Sequence, residues 1–316
     1  RSVAAVNSGT SGLSLGLIAA GVGPGDEVIV PSFTFAATPN SVALTGAKPV
    51  FCDIDSDTFT LSPRMLEAVI TSRTVGIMPV HMYGHPARMT EIQRIAEAHG
   101  LKVFEDAAQA HGAEVDGKKV GTFGDFGVFS LYPTKNMTSG EGGMVSYSSP
   151  QLGRKIKLLR NQGMEVRYQN ELAGFNMRMS DVHAAIGRPQ LKKLGRWTNS
   201  RRANASYLSR GISGLETPKE LEGSHHVYHQ YTLRIPEERD RFSSALATEH
   251  GIESGIYYPV PTHRLPAFAE TSEGLHLPET DRASREVLSI PVHPQLRLKD
   301  LEKIVTAVNR LSRAGA

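Results

Sequence analysis

Short runs of β-branched and aromatic residues alternate with amphipathic segments over the first two-thirds of the chain. Strands are predicted at Glu27 to Pro31, Pro49 to Ile54, Val75 to His81, Leu101 to Glu105, Phe126 to Leu131 and Gly143 to Tyr147. Between them, Met89, Ile92, Ile95 and Ala96 recur at helical spacing, and Gly100 sits where a C-terminal cap belongs. A second helix is predicted from Thr10 to Ala20, with Leu13, Leu17 and Ile18 on one face and Gly21 after it. Strands alternating with helices predict an α/β fold with a mostly parallel central sheet covered on both faces. Such sheets bind ligands outside the carboxyl ends of their strands. From about Tyr207 the pattern changes. Tyr228 to Ile235 and Ile252 to Tyr258 read as strands, and Phe242 to His250 and Leu298 to Leu311 as helices. A loop rich in Pro, His and Glu runs from Pro259 to Pro278. This predicts a smaller C-terminal α+β domain with a long functional loop.

The chain has 316 residues, enough for two domains, which we place at 1–206 and 207–316. Its formal net charge of +3 is spread out, without a basic stripe, which argues against nucleic acid as a partner. No stretch approaches the about 18 apolar residues that cross a bilayer, so no membrane partner is expected. The single cysteine, Cys52, excludes an intramolecular disulfide and fits a reducing compartment, so the cytoplasm is expected.

Three segments carry candidate chemistry. In Asn7-Ser8-Gly9-Thr10-Ser11-Gly12, small hydroxyl residues and glycines precede a helix, leaving N–H groups to face an anion. The same residues also read as an ordinary N-cap. In Phe104-Glu105-Asp106-Ala107-Ala108-Gln109-Ala110-His111-Gly112 an acidic residue ends an apolar strand. Asp106 either caps a following helix or pairs a protonated pyridine nitrogen, as in a pyridoxal phosphate (PLP) site. In Phe129-Ser130-Leu131-Tyr132-Pro133-Thr134-Lys135-Asn136 a strand runs into a turn holding one lysine. Lys135 is a solvated loop residue or a buried nucleophile and proton carrier. No segment decides alone; their order along the chain is the stronger signal. Gly21-Val22-Gly23-Pro24-Gly25 precedes a strand instead of following one, so it reads as a turn and not a dinucleotide loop. His81 and His85 are separated by a helix-breaking Gly84, and no metal is expected there.

With these segments in order, the chain resembles the DegT/DnrJ/EryC1/StrS sugar aminotransferases, within the fold-type I (aspartate aminotransferase-like) PLP enzymes. The resemblance rests on Asn7 to Ser11, Pro31 to Thr38, Pro79 to Gly84, Glu105 to Gly112 and Phe129 to Asn136. It continues through Gly174 to Asp181, His226 to His229 and Gly255 to His263, so it covers essentially the whole chain. It implies that residues 1–206 form the large PLP-binding domain, here expected to lack a leading segment that family members carry. It implies that Lys135 is the Schiff-base lysine and that Asp106 pairs the pyridinium nitrogen. Gln109 is then expected at the ring hydroxyl, Phe35 on the ring face, and Thr10, Ser11 and Ser130 at the phosphate. Asn176 is expected to reach the phosphate of a neighbouring subunit, which implies a homodimer with shared sites. His229, Tyr257 and His263 are expected to form the sugar-nucleotide cleft. The implied reaction moves an amino group from an amino acid, usually glutamate, to a nucleotide-linked ketosugar through pyridoxamine phosphate. Relatives on this scaffold that deoxygenate sugars carry another residue, often histidine, at the lysine position. A non-catalytic PLP-fold protein is the remaining alternative. Pro189 interrupts an otherwise helical stretch from Asp181 to Leu194, where a kink is expected.

Overall fold

A computed structural model describes residues 1–314. Seven strands form the central sheet: β1 (Ser2–Val6), β2 (Glu27–Pro31), β3 (Lys48–Cys52), β4 (Thr74–Ile77), β5 (Lys102–Asp106), β8 (Phe126–Ser130) and β9 (Gly143–Tyr147). Two-residue strands β6 (Glu114–Val115) and β7 (Lys118–Lys119) pair with each other, and β6 also pairs with β10 (Ser224–His225). The central order is β1-β9-β8-β5-β4-β2-β3. The pairs from β8 to β3 are parallel, and β9 runs antiparallel to both β1 and β8. The predicted fold class therefore holds. Strand β1 was not predicted: its five small residues carry no alternation, and only pairing with β9 along its whole length makes it a strand.

Helices α1 (Gly9–Ala19), α2 (Ala37–Ala43), α3 (Pro63–Leu66), α4 (Met89–Ala98) and α5 (Pro150–Arg160) pack around this sheet. The placement of α1 follows from its glycines. A methyl group added to Gly16 would come 2.6 Å from the Phe126 ring, one on Gly12 2.9 Å from Val128 Cγ1, and one on Gly9 2.9 Å from Ser130 Cβ. A glycine stripe at helical spacing thus faces alternate residues of β8, so the helix lies directly on the strand. Its N-terminus consequently comes to rest at the strand's carboxyl end. Phe104 and Phe126 stack beneath it, centroids 5.0 Å apart, within the largest apolar core.

Helix α6 (Asp181–Gly211) is unbroken through Pro189. Proline there removes one N–H from the helical ladder, and its ring crowds the carbonyl of Ala185. The last turns of α6 contribute Ala205 and Leu208 to a second apolar core. That core is completed by β11 (Tyr231–Arg234), α7 (Arg239–His250), β12 (Val287–Ile290) and α9 (Leu298–Ala314). Helix α8 (Pro278–Glu286) runs directly into β12. The strand predicted at Ile252 to Tyr258 does not form. Only Gly255 exchanges backbone hydrogen bonds, at 2.8 Å each, with Ser289 of β12, whose other edge pairs with β11. The chain beyond Gly255 leaves the sheet because Ile256, Tyr257 and Tyr258 line the large cavity described below. Among the described residues no helix is long and apolar enough to cross a membrane.

The loop that carries the chain from β5 to β8 is fastened by Glu105. This fully buried carboxylate accepts hydrogen bonds from the N–H groups of Gly121, Phe123 and Gly124 at 2.6, 2.7 and 2.9 Å. It accepts a fourth from His81 Nε2 at 3.2 Å, while His81 Nδ1 accepts from the Ala87 N–H. Burial raises the pKa of Glu105, but these donors outweigh it and hold it below the usual carboxylate range. A depressed folded-state pKa stabilises the fold above the unfolded value of about 4.3, and that contribution is lost as pH falls through the folded value. Glu105→Gln is expected to cost about 2–5 kcal/mol at pH 7, because it turns a shared acceptor into a donor facing other donors. Denaturant unfolding at pH 7 and pH 4 checks this; the variant should also show a shallower loss of stability on acidification.

Candidate active site

Four strand ends meet around one cavity of about 720 Å³. Strand β1 leads into Ser8, β2 into Thr34 and Phe35, β5 ends on Asp106, and β8 ends on Ser130 five residues before Lys135. All six residues line the cavity. Parallel strands place their carboxyl ends on one edge of the sheet, so residues spread over some 130 positions of sequence become neighbours.

Ser8 caps α1: its Oγ accepts from the Ser11 N–H at 3.0 Å, and its carbonyl accepts from the Gly12 N–H at 3.1 Å. Among the described residues the N–H groups of Gly9 and Thr10 have no backbone partner, and they stand at the positive end of the helix. Capping and anion binding are therefore compatible here. Thr10 lines the cavity. Ser11 does not; its hydroxyl pairs with Ser8 Oγ at 2.9 Å. Ser130 lies across from Gly9, its Oγ accepting from the Tyr132 N–H at 3.3 Å.

Asp106 does not cap a helix, since turns follow it. Its Oδ1 accepts from the Ala108 N–H at 3.1 Å and its Oδ2 from Thr38 Oγ1 at 2.8 Å; Thr38 in turn contacts Thr34 Oγ1 at 3.0 Å. Each carboxylate oxygen is thus held by one donor, which fixes the group's plane toward the cavity. Lys135 sits in a turn closed by its own N–H to the Tyr132 carbonyl at 3.0 Å. It is half-buried, and burial lowers its pKa, with the Asp106 charge acting in the opposite direction. It is not a freely solvated loop lysine. A lysine held this way carries a neutral amine more readily than an exposed one.

Gln109 is fixed on both sides. Its Oε1 accepts from the Tyr83 N–H and its Nε2 donates to the Tyr258 hydroxyl, both at 2.8 Å, which leaves one amide hydrogen for the cavity. Tyr83 and Tyr258 stack at 6.4 Å, and both have left-handed backbones, with φ of 57° and 60°. Phe35 stands at the cavity wall with 60% of its surface exposed, an aromatic face free to stack. Of the residues expected in the substrate cleft, His229 and Tyr257 line the cavity. His229 Nδ1 is bound to Asn136 Oδ1 at 3.2 Å, and burial holds its pKa well below the usual histidine value. His263 does not reach the cavity. It is buried behind it, with Nδ1 on Ser32 Oγ at 2.6 Å and its ring against Phe51. Asn176 is exposed on a segment bridged to Asn161, away from the cavity of its own chain.

Thr38, Tyr258 and Asn136 were not singled out from sequence, although each holds one of the residues that were. Thr38 follows Thr34 by four positions at the start of a helix, a polar pair on a face that is otherwise buried, and this was the available signal. His111 packs against Phe129 at 5.5 Å, and burial lowers its pKa to about 4. Among the described residues no cluster of His, Cys, Asp and Glu is arranged to hold a metal.

This donor set fits PLP. A helix N-terminus with Thr10 and Ser130 suits a phosphate, the clamped Asp106 suits a pyridinium, Phe35 offers a stacking face, and Lys135 offers an amine. Comparison with known proteins agrees. The model of the DegT/DnrJ/EryC1/StrS aminotransferase family matches residues 1–309. A protein of Geobacillus stearothermophilus named "Pleiotropic regulatory protein" is 43% identical over 309 residues, covering 95% of this chain and 82% of the relative. A UDP-N-acetyl-3-dehydro-alpha-D-glucosamine 3-aminotransferase of Acidithiobacillus ferrooxidans is 42% identical over 306 residues, covering 96% and 82%. The crystal structure of Streptomyces venezuelae DesV in complex with a ketimine intermediate superposes with a TM-score of 0.94 at 39% identity, covering 98% of this chain and 84% of that one. From its strand ends to its matched length, this chain belongs to the DegT/DnrJ/EryC1/StrS aminotransferase family.

Proposed function

We propose that the protein transfers an amino group from an amino acid, preferentially glutamate, to the ketone of a nucleotide-linked sugar, with PLP as its cofactor. The observation that carries this is Lys135 and the clamped Asp106 lining one cavity at the carboxyl ends of parallel strands. When bound, PLP supplies an electron sink for the pair left as a proton departs from the donor's α-carbon. Lys135 holds the cofactor and, once released, carries that proton; its lowered pKa keeps a share of the amine neutral and able to accept it. Asp106 keeps the ring nitrogen protonated from a position fixed by Thr38 and the Ala108 N–H. Thr10, Ser130 and the first N–H groups of α1 hold the phosphate, Phe35 covers one ring face, and Gln109 orients the opposite edge. His229 and Tyr257 face the sugar substrate. A homodimer in which Asn176 completes the partner's phosphate site is part of the same proposal.

Glutamate added to the PLP-loaded protein should convert the cofactor to its amine form. A panel of nucleotide-linked ketosugars should then restore it and yield aminosugars detectable by mass spectrometry. Failure of glutamate and every other amino acid to change the cofactor spectrum would remove the transaminase reading. That result would favour the non-catalytic alternative, since deoxygenating relatives carry another residue at the position of Lys135.

A further inference from the structure

Asn136 follows Lys135 in the chain and is buried. Its Nδ2 donates to the Val227 carbonyl at 3.0 Å, and its Oδ1 faces His229 Nδ1 at 3.2 Å. A backbone carbonyl only accepts, so the amide NH₂ faces Val227 and the amide oxygen faces the histidine. That oxygen accepts too, so His229 Nδ1 carries the ring proton and Nε2 is left with its lone pair. The backbone under the ring is equally fixed. Val227 N–H donates to the Gly84 carbonyl at 3.0 Å and Gln230 N–H to the Tyr83 carbonyl at 3.2 Å. A methyl group added to Gly84 would come 2.9 Å from the His229 nitrogen, so the two segments lie in direct contact.

Among the described residues Nε2 has no hydrogen-bond partner, yet it is not closed off from solvent, and His229 is the one histidine lining the cofactor cavity. The titratable groups around the ring are Lys135, Arg201, His111 and His226. Each opposes a positive charge on it, and burial does so most, so the ring stays neutral. The same cations disfavour an ammonium as its ligand. We infer that Asn136 is a positioning residue: by locking the His229 ring it sets a lone pair on the cavity wall that accepts a hydroxyl of the ketosugar and turns away its keto oxygen. This rests on the aminotransferase reading. A hydroxyl can donate to a lone pair, whereas a carbonyl oxygen brings only lone pairs of its own. The sugar therefore enters with a hydroxyl toward His229 and its ketone directed elsewhere in the cavity, which helps to select the carbon that is aminated.

Nitrogen NMR of histidine-labelled protein reads the ring proton directly, with the His229 signals identified by their absence in His229→Asn. Wild-type protein should show Nδ1 protonated and Nε2 bare; a proton on Nε2 would overturn the assignment. The consequence is read with deoxy analogues of the ketosugar that turns over fastest, one hydroxyl removed at a time. In the wild type one analogue should lose about 10- to 100-fold in kcat/KM, the scale of leaving a buried polar group unpaired. Asn136→Leu frees the ring, and the same removal should then cost less than about 3-fold, as for an interaction the variant no longer makes. Asn136→Asp keeps an acceptor on Nδ1 and should retain the discrimination at about pH 8. On acidification it should lose it, unlike the wild type, because the carboxylate raises the ring's pKa and a protonated ring donates from both nitrogens. Absorbance of lysine-bound cofactor reports that the Lys135 turn is intact in each variant. Equal losses for parent and analogue in the variants, or no loss with any analogue in the wild type, would overturn the assignment. Should the wild-type protein aminate no ketosugar, the aminotransferase reading fails instead, and the position of the ring proton still decides the Asn136 lock by itself.

Discussion

Lys135→Ala is expected to lower steady-state transamination by at least about 10³-fold, since both a covalent anchor and a proton carrier are lost. Among the described residues the half-buried side chain has no hydrogen-bond partner, so its removal leaves the Tyr132 to Lys135 turn and the strand end intact. Stability should accordingly change little. Removing an amine whose pKa is already lowered by burial relieves more desolvation than the attraction to Asp106 that it removes. Three measurements distinguish this loss from misfolding: the melting temperature, the visible absorbance of lysine-bound cofactor, and turnover with glutamate and a nucleotide-linked ketosugar. The first should persist and the other two vanish. Turnover within tenfold of wild type would overturn the role given to Lys135. Added small primary amines should restore part of the proton transfer, because the cavity then has room for them.

Asp106→Asn is expected to lower the glutamate half-reaction by about 10²–10³-fold, the scale seen when one fixed electrostatic partner of a reacting group is removed. The substitution keeps the shape of the side chain but not its acceptor capacity. Thr38 Oγ1 and the Ala108 N–H each donate to one carboxylate oxygen, so an asparagine satisfies one of them and sets its own NH₂ against the other or against the ring nitrogen. Either way the negative charge that keeps the ring nitrogen protonated is gone. Cofactor should still bind, because the phosphate contacts at Thr10, Ser130 and α1 are untouched, and this separates the effect from loss of PLP. Thr38→Val should move in the same direction by a smaller amount, since it frees one carboxylate oxygen without removing the charge. An Asp106→Asn enzyme as fast as wild type would exclude the ring-nitrogen role.

The sequence alone determined six of the seven central strands, the α/β class, the family, and the order of anion loop, acidic strand end and lysine turn. Each of these is written locally. Strands such as Glu27–Pro31 and Gly143–Tyr147 show in their apolar runs, and motif residues lie within a few positions of the strand ends that carry them. Contacts between distant segments were not legible. Ser11 and Thr10 look equivalent in sequence, yet only the tertiary placement of α1 turns Thr10 to the cavity and Ser11 to Ser8. His263 belongs to a motif that lines the site, but the strand end at Ser32 draws it behind the wall. The strand expected at Ile252 to Tyr258 has the composition of a strand, yet only Gly255 pairs, with Ser289 of β12, and the residues after it line the cavity. Periodicity and motif spacing report what a segment can become. Which of two equivalent hydroxyls or histidines lines the cavity is decided by packing between residues far apart in the chain, because only that packing sets which side of each backbone faces the cavity.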